Sequence, residues 1–383
     1  MNDYFLLKAN YPYIDTPYDL IYACQVMDIF NGTVNYYYTI CILSHILGIL
    51  STYIFPCVGC FSIISNVLIC YIFLIKYAKK TRQIILLSTL SIADSLYIFS
   101  FGWLWFFPAK GLPYATSGSV YLFIINISDF ACRSFRGIYT TFATWSLGTS
   151  LVVCFDRMLA IYFPLKMMKF GYKSAVNGSL LMFILCTIFA NVHNIFLKSI
   201  KIDEKIFCTF YFENDNKMKN FMIIWRSLFV HSGLVPMSLI ILINILLVWK
   251  IAKSGSYMEK LTEIRRKSYV KEIKGTVVVL ILSILLIIGS VPNLSLFAVT
   301  IYTQESGVQS GETQNFLQIM FNLGDIGMHL TFFMSSVSIF IYYSKMTKFK
   351  LELDEILGMK KRQVNYPLCP WKWNQPIQGS STN

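Results

Sequence analysis

The sequence is poor in charged residues. Asp, Glu, Lys and Arg make up 14% of the 383 residues, whereas 55% are hydrophobic and the mean hydropathy is +0.55. A soluble domain needs more polar side chains than this to cover its surface, so a soluble protein is excluded. Apolar runs of about 20 residues recur along the chain, and each is long enough to cross a bilayer as a helix. The composition therefore predicts an all-α, multi-pass membrane protein.

Other signals are also absent. Met1 is not followed by a basic and then an apolar segment, so no cleavable signal peptide is predicted. The two halves show no internal repeat, which disfavours many transporter architectures. Cys57 and Cys60 form a Cys-x-x-Cys pair without His or carboxylate partners, which argues against a metal site. The net charge of +13 is concentrated in loops, so membrane topology explains it better than nucleic-acid binding.

Seven apolar segments are predicted to be membrane spans. They cover residues 46–76, 83–107, 128–160, 175–197, 221–252, 275–301 and 315–343. Lys and Arg cluster after the first, third, fifth and seventh segments, which places these loops in the cytoplasm. The basic residues around Lys201 are the main exception. The prediction is an extracellular N-terminal segment (1–45), a seven-helix domain (46–343) and a cytoplasmic tail (344–383), in the plasma membrane.

The regions outside the spans carry further signals. Asn31 begins an acceptor sequence for N-glycosylation, which fits an extracellular N-terminus. After the seventh span, apolar residues at helical spacing alternate with charged ones and predict an amphipathic eighth helix on the membrane surface. Its apolar positions are Met346, Phe349, Leu353, Ile356 and Leu357. Residues 107–118 contain Pro, Gly and Ser and predict a long first extracellular loop.

An Asp156-Arg157 pair ends the third apolar run and is followed by Pro164. Charged residues at the end of a membrane span are costly and are usually functional. Cys132 lies 25 residues before Arg157. That interval spans roughly 37 Å of helix, so Cys132 is predicted at the opposite membrane face. Cys208, before the fifth span, is predicted on the same face as Cys132, where cysteines oxidise.

These residues resemble the rhodopsin-like G-protein-coupled receptors over about residues 46–357. Asn66 and Asp94 are similar to the family's polar residues in the first two spans, and Pro236 and Pro292 to its kink prolines. Residues Met334–Tyr342 resemble the Asn-Ser-Ser-Val-Asn-Phe-x-x-Tyr variant of invertebrate FMRFamide-type peptide receptors. The long first loop is similar to that of a flatworm-restricted group of orphan receptors. The resemblance implies a receptor that is not an enzyme.

The resemblance also implies the parts of a switch. Arg157 is expected to contact a heterotrimeric G protein when the bundle opens, and to be held by Asp156 and Glu272 when it is closed. Glu272 otherwise caps a solvated basic face. Tyr342 retains the family's tyrosine, and a Cys132–Cys208 disulfide is expected. One departure is Gly289–Pro292, which lacks the family's Trp in Cys-Trp-x-Pro.

Asp94 lies in the middle of a span, where a carboxylate needs a partner, a cation or a proton. By resemblance it is an allosteric sodium site, with Ser146 and Ser338 as oxygen donors. Alternatively, Asp94 is protonated and bonded to Asn66 and serines. No other cofactor is expected.

The ligand is predicted from substitutions in the half of the bundle that faces outside. Tyr139 replaces the Asp of amine receptors, and Phe332 replaces the lysine of opsins, which disfavours amines and retinal. The remaining candidate ligand residues are Arg136, Arg226, His231, Asp325 and His329. Mixed charges in a wide pocket favour a peptide. The alternatives are a small-molecule chemosensory receptor of the same fold and, less favoured, a seven-span channel.

Overall fold

The chain folds as a bundle of seven membrane-length helices. The computed structural model describes residues 16–22, 35–78, 80–167, 169–202, 205–210, 216–230, 233–253, 263–306 and 311–359. Within them, the first to seventh spans are Tyr38–Lys76, Arg82–Ala115, Asp129–Tyr162, Tyr172–Asn191, Ile224–Ala252, Glu272–Leu296 and Phe316–Lys345. The predicted all-α, seven-span fold with a short C-terminal helix is confirmed.

The first two spans combine α-helical and π-helical segments. In the first span the α segments are Asn35–Ile49 and Phe55–Tyr71, and the π segments are Leu50–Ile54 and Ile72–Lys76. The second span contains α segments Arg82–Tyr97 and Leu112–Ala115 around the π segment Ile98–Gly111. The other α-helices are Asp129–Tyr162, Pro164–Met167, Tyr172–Asn191, Asn216–Phe229, Leu234–Ala252, Glu263–Ser306, Gly311–Lys345 and Thr347–Ile356. Short 3₁₀ turns cover Ile124–Asn126 and His193–Phe196, and antiparallel strands Leu197–Ile202 and Lys205–Phe210 form a hairpin.

Side-chain caps fix the beginnings of the second and third spans. Thr81 Oγ1 accepts a hydrogen bond from the backbone N–H of Ile84 at 3.4 Å, and Ser128 Oγ accepts one from Ala131 at 3.1 Å. Each cap satisfies a donor that the first helical turn leaves unpaired. The third span ends shortly before Pro164, because a proline disfavours helical conformation in the residue preceding it.

The predicted loop at residues 107–118 is wrong for most of its length, because the second span continues to Ala115. The first span holds this extension. Thr52 Oγ1 donates to the carbonyl oxygen of Gly111 at 2.9 Å, and His45 Nδ1 lies 2.6 Å from the Tyr114 hydroxyl. Contacts with a neighbouring helix therefore override the loop-like composition.

The fourth and fifth spans also differ from the prediction. The fourth ends at Asn191 instead of residue 197, since the chain turns there into the hairpin. In place of a kink at Pro236, one helix ends at Phe229 and the next begins at Leu234. Pro236 falls in the first turn of that second helix, where its missing N–H costs little. Pro292 lies inside a continuous helix.

Two buried clusters mark the two ends of the bundle. One contains Ile69, Phe73, Val153, Ile240, Tyr342 and Phe349, and its end, which also carries Arg157, is called the arginine end. The other contains Phe55, Tyr97, Phe101, Phe106, Tyr139 and Phe332 and is called the aromatic cluster. It lies toward the end that carries the Cys132–Cys208 bridge, which is called the disulfide end.

The C-terminal helix packs against the arginine end. Phe349 is fully buried, and its ring centroid lies 5.4 Å from that of Phe73 and 5.6 Å from that of Tyr342. The Tyr343 hydroxyl donates to Asp354 at 3.0 Å. The other face leaves apolar side chains exposed, as a helix on a membrane surface would. These are Leu351, Ile356 and Leu357.

Candidate functional site

Arg157 lies at the centre of a buried polar network at the arginine end. Its guanidinium donates to Asp156, the preceding residue, and its Nη1 lies 3.0 Å from Oε2 of Glu272 in the sixth span. Arg157 is 3% exposed and Glu272 is 40% exposed. The arginine is thus held between its own helix and the solvent-facing foot of another. This is the contact that the resemblance to rhodopsin-like receptors implied.

The second span supplies two members of this network that the sequence did not indicate. Arg82 donates to Asp156 through Nε and to the carbonyl oxygen of Met167 at 3.0 Å. Gln83 Oε1 accepts from Arg157 at 3.2 Å, and Gln83 Nε2 donates to the carbonyl oxygen of Gly275 at 3.3 Å. Two arginines and two carboxylates therefore balance each other's charge, and the network connects three spans.

Asp94 is half-buried in the middle of the bundle and accepts hydrogen bonds from two serines. Ser146 of the third span donates to Oδ1, and Ser335 of the seventh span donates to Oδ2 at 3.0 Å. Asn66 of the first span donates to Ser335 Oγ at 3.0 Å. Ser338, the expected second donor, lines a cavity of about 60 Å³ that Asp94, Ser146 and Ser335 also line. Asp94 contacts Ser335 because that residue lies almost one turn closer to the disulfide end.

A series of hydrogen bonds joins the first and seventh spans. Asn322 Nδ2 donates to Ser44 Oγ at 3.1 Å. His329 Nε2 lies 3.0 Å from Ser51 Oγ, which itself donates to a backbone carbonyl. In both pairs the two residues are 278 positions apart in the sequence. The second pair therefore lies seven residues further along each helix than the first. This spacing is typical of parallel helices that pack side by side.

The predicted ligand residues lie at different depths. Tyr139 is 4% exposed and stacks on Trp105, and His329 is 8% exposed. Arg136, Arg226 and Asp325 are half-buried. His231 and the glycosylation site Asn31 lie outside the described residues.

Several buried donors lack hydrogen-bond partners among the described residues, among them Trp105 Nε1 and Asn293 Nδ2. Trp105 Nε1 is enclosed by Phe101, Phe106 and Tyr139 within the aromatic cluster. Asn293 Nδ2 follows Pro292 in the sixth span. A buried donor without an acceptor is costly, and one in a binding site can be satisfied by a ligand. Trp105 was part of a Trp-rich stretch, but its type and position alone did not separate it from an interfacial aromatic residue.

The predicted disulfide is confirmed. Cys132, in the first turn of the third span, is bonded to Cys208 in the second strand, with the Cα atoms 5.4 Å apart. The backbone N–H of Cys208 also donates to Asn126 Oδ1 at 3.0 Å. Asp129 accepts from Ser199 in the first strand at 3.0 Å. The disulfide and these hydrogen bonds therefore fix the hairpin to the third span and to the 3₁₀ turn that precedes it.

Comparison with known families agrees with this geometry. The family described as 7 transmembrane receptor (rhodopsin family) matches residues 65–345, most of the chain. A search of curated proteins found no significant match. The chain belongs to the rhodopsin family of seven-transmembrane receptors. Members of this family pass a signal from an extracellular ligand to a G protein and are not enzymes.

Proposed function

We propose that this receptor binds a peptide at the disulfide end and activates a heterotrimeric G protein at the arginine end. The disulfide end faces outside the plasma membrane in this proposal, as the basic loops indicate. The observation that carries it is the 3.0 Å contact between Arg157 and Glu272, which joins the third and sixth spans. A G protein needs these spans to separate, so the contact belongs to a closed state.

Activation then follows as a shift between two populations. A ligand that binds the open bundle more tightly than the closed one favours the open form. The Arg157–Glu272 contact breaks, and the guanidinium becomes available to the G protein. Arginine suits both roles because it stays charged and donates through a planar fork to carboxylate or carbonyl oxygens.

The peptide assignment rests on the chemistry at the disulfide end. Arg136 and Asp325 offer charges of both signs, and Trp105 offers a buried donor beside aromatic rings. A peptide carries amide acceptors, charged groups and apolar side chains, so it can satisfy all three. An amine ligand would find no carboxylate to pair with at this position, because Tyr139 stands where amine receptors have an Asp.

A promiscuous G-protein reporter and a pooled neuropeptide library test the proposal. We expect a peptide response in the wild type that Arg157→Ala loses at equal surface expression. Lys169 is an exposed basic residue that follows the third span. Lys169→Ala is therefore the matched control and should respond normally. A response to small molecules alone would refute the peptide, and an N-terminal tag found inside the cell would refute the orientation.

We also propose that Asp94, Ser146 and Ser335 hold a sodium ion. One carboxylate and several hydroxyls around a cavity of about 60 Å³ form the oxygen donor set that a hard cation needs. Asn66 would orient Ser335 from behind. The ion would favour the closed bundle, because it connects the second, third and seventh spans.

Thermal stability tests this site without any agonist. We expect purified wild type to unfold at a higher temperature in sodium chloride than in choline chloride, since an ion bound only to the native state stabilises it. Asp94→Asn should lose this difference, whereas Ser95→Ala, one residue along the same helix, should keep it. Equal sodium effects in the wild type and Asp94→Asn would exclude the site.

A further inference from the structure

Residues Thr16–Tyr22 form a short, self-supported turn at the disulfide end. Asp19 accepts hydrogen bonds from both the backbone N–H and the hydroxyl of Thr16, the former at 3.0 Å. The backbone N–H of Tyr22 donates to the Tyr18 carbonyl oxygen at 2.9 Å, and the rings of Tyr18 and Tyr22 stack at 5.1 Å. The turn therefore presents its side chains in a fixed arrangement.

This turn inserts side chains into the receptor. Leu20 is only 5% exposed and is part of the buried group that contains the aromatic cluster. Asp19 Oδ2 lies 4.0 Å from Lys110 Nζ, and these side chains are 9% and 10% exposed. A buried cation needs a partner, because leaving one charge of such a pair alone is strongly unfavourable. Lys110 thus recognises a carboxylate at the opening of the bundle.

The receptor surface is shaped to receive the turn. Gly118 has a φ of +81°, and a Cβ atom placed there would lie 2.5 Å from the ring of Tyr18. Only a glycine combines this backbone conformation with room for the ring. The segment that follows the second span, just beyond the extension that carries Lys110, thus provides the space in which the Tyr18 ring packs.

We propose that residues Thr16–Tyr22 are an intramolecular ligand that holds the receptor closed, with Lys110 as its carboxylate subsite. The turn occupies the opening while Arg157 remains bonded to Glu272, so it stabilises the closed state. An external ligand must displace it. On the proposed peptide function, that ligand carries a carboxylate beside a branched aliphatic side chain, as Asp19 and Leu20 do.

Thiol labelling tests whether the turn is seated, without any external ligand. In Leu20→Cys, a membrane-impermeant maleimide should react slowly, and Lys110→Gln should raise that rate by about tenfold. The charge swap Asp19→Lys with Lys110→Asp should restore slow labelling. Ser119→Cys, exposed nearby, should react quickly in every background, and Arg133→Gln, which removes an exposed cation, should leave Leu20→Cys protected. Rapid labelling of Leu20→Cys with Lys110 intact would refute the proposal.

Ligand-independent signalling tests the inhibitory role. Deletion of residues 1–22 should raise basal G-protein activation several-fold at equal surface expression. The end-blocked heptapeptide of residues 16–22, added outside, should reverse the rise, but not when Lys110→Gln is also present. Unchanged or lower basal signalling in the deletion would overturn the inhibitory role. The library screen can fail separately, because neither readout depends on an external peptide agonist.

Discussion

Gln83 contacts two other spans at the arginine end. Its oxygen accepts from Arg157, and its nitrogen donates to the carbonyl oxygen of Gly275 in the helix that carries Glu272. A Cβ added at Gly275 would lie 2.8 Å from the Gln83 oxygen, so the two helices approach closely there. Gln83 is therefore a second tie between the spans that must separate during activation.

Replacement of Gln83 should raise basal signalling. Gln83→Met keeps the length of the side chain but removes both hydrogen bonds. At about 1 kcal/mol for such contacts, the open population should rise roughly fivefold. Gln83→Glu keeps the acceptor for Arg157 but places a carboxylate against the carbonyl oxygen of Gly275, so it should raise basal signalling as well. A reporter at matched surface expression makes the measurement, and equal basal activity in Gln83→Met and wild type would contradict the assignment.

Glu272→Gln should have a similar effect through charge alone. The carboxylate is 40% exposed, so solvent screens its attraction to Arg157, and we discount the contact to about 1 kcal/mol. Basal signalling should again rise roughly fivefold. Lys274→Gln, which neutralises a neighbouring charge, serves as the control. The pair would be unimportant for closure if both variants matched the wild type.

The sequence indicated some of these residues and missed others for physical reasons. Arg157 and Glu272 were predictable because the residues around them resemble those of the rhodopsin-like receptors, which implied their contact. Gln83 was not, because its role depends on how closely the second span approaches the sixth. Arg82 is one of several basic residues in a short loop, and such residues were assigned to membrane topology. Its bond to Asp156 required the folded positions of both helices.

At the scale of elements, glycines decide how closely the first two spans approach each other. A Cβ at Gly111 would lie 2.7 Å from the backbone oxygen of Ser51, and one at Gly48 would collide with the Tyr114 ring. Backbone atoms cannot move aside as a flexible side chain can. These contacts explain why a segment with loop-like composition becomes helical, an outcome that periodicity alone could not predict.

Alanine substitutions at two glycines should therefore have opposite effects. Gly111→Ala should destabilise the receptor by about 1–3 kcal/mol through overpacking. Gly178→Ala, in the fourth span with nothing within 4 Å of the added atom, should be neutral or stabilise it by about 0.5–1 kcal/mol. Thermal unfolding of the purified variants measures both. Similar melting temperatures would show that the first two spans adjust more easily than the contacts imply.

The C-terminal helix should depend on one aromatic anchor. Phe349 is fully buried between Phe73 and Tyr342, so Phe349→Ala should cost about 3 kcal/mol and release the helix. Leu351→Ala changes the same helix at a side chain that is 54% exposed and should unfold like wild type. Protease protection of the tail and the melting temperature report the two effects. Equal protection in both variants would mean that other contacts hold the helix.

At the scale of the whole molecule, the seated turn and the Arg157 network lie at opposite ends of one bundle. Because coupling between two sites is reciprocal, an event that opens one end must weaken closure at the other, to the extent that the two ends are coupled. The polar contacts of Asp94 and the hydrogen bonds between the first and seventh spans lie between the two ends. They are the physical connection through which such coupling can act.

This reciprocity gives a measurement across the membrane. Glu272→Gln, at the arginine end, should increase maleimide labelling of Leu20→Cys at the disulfide end, since an open bundle holds the turn less tightly. The increase should approach the factor by which basal signalling rises, roughly fivefold, if release of the turn and opening of the bundle are one transition. Lys274→Gln should leave labelling unchanged. If Glu272→Gln leaves the labelling of Leu20→Cys unchanged, the turn is not coupled to the Arg157–Glu272 contact.

Gly118 also bears on how this receptor evolves. A side chain there would strain the backbone and collide with the ring of Tyr18. In a lineage that replaced this glycine, the tyrosine would lose its seat, and selection on the sequence of the N-terminal turn would relax. Glycine and turn should therefore be inherited together or lost together, and their joint occurrence would divide the descendants of this gene into self-restrained and unrestrained receptors.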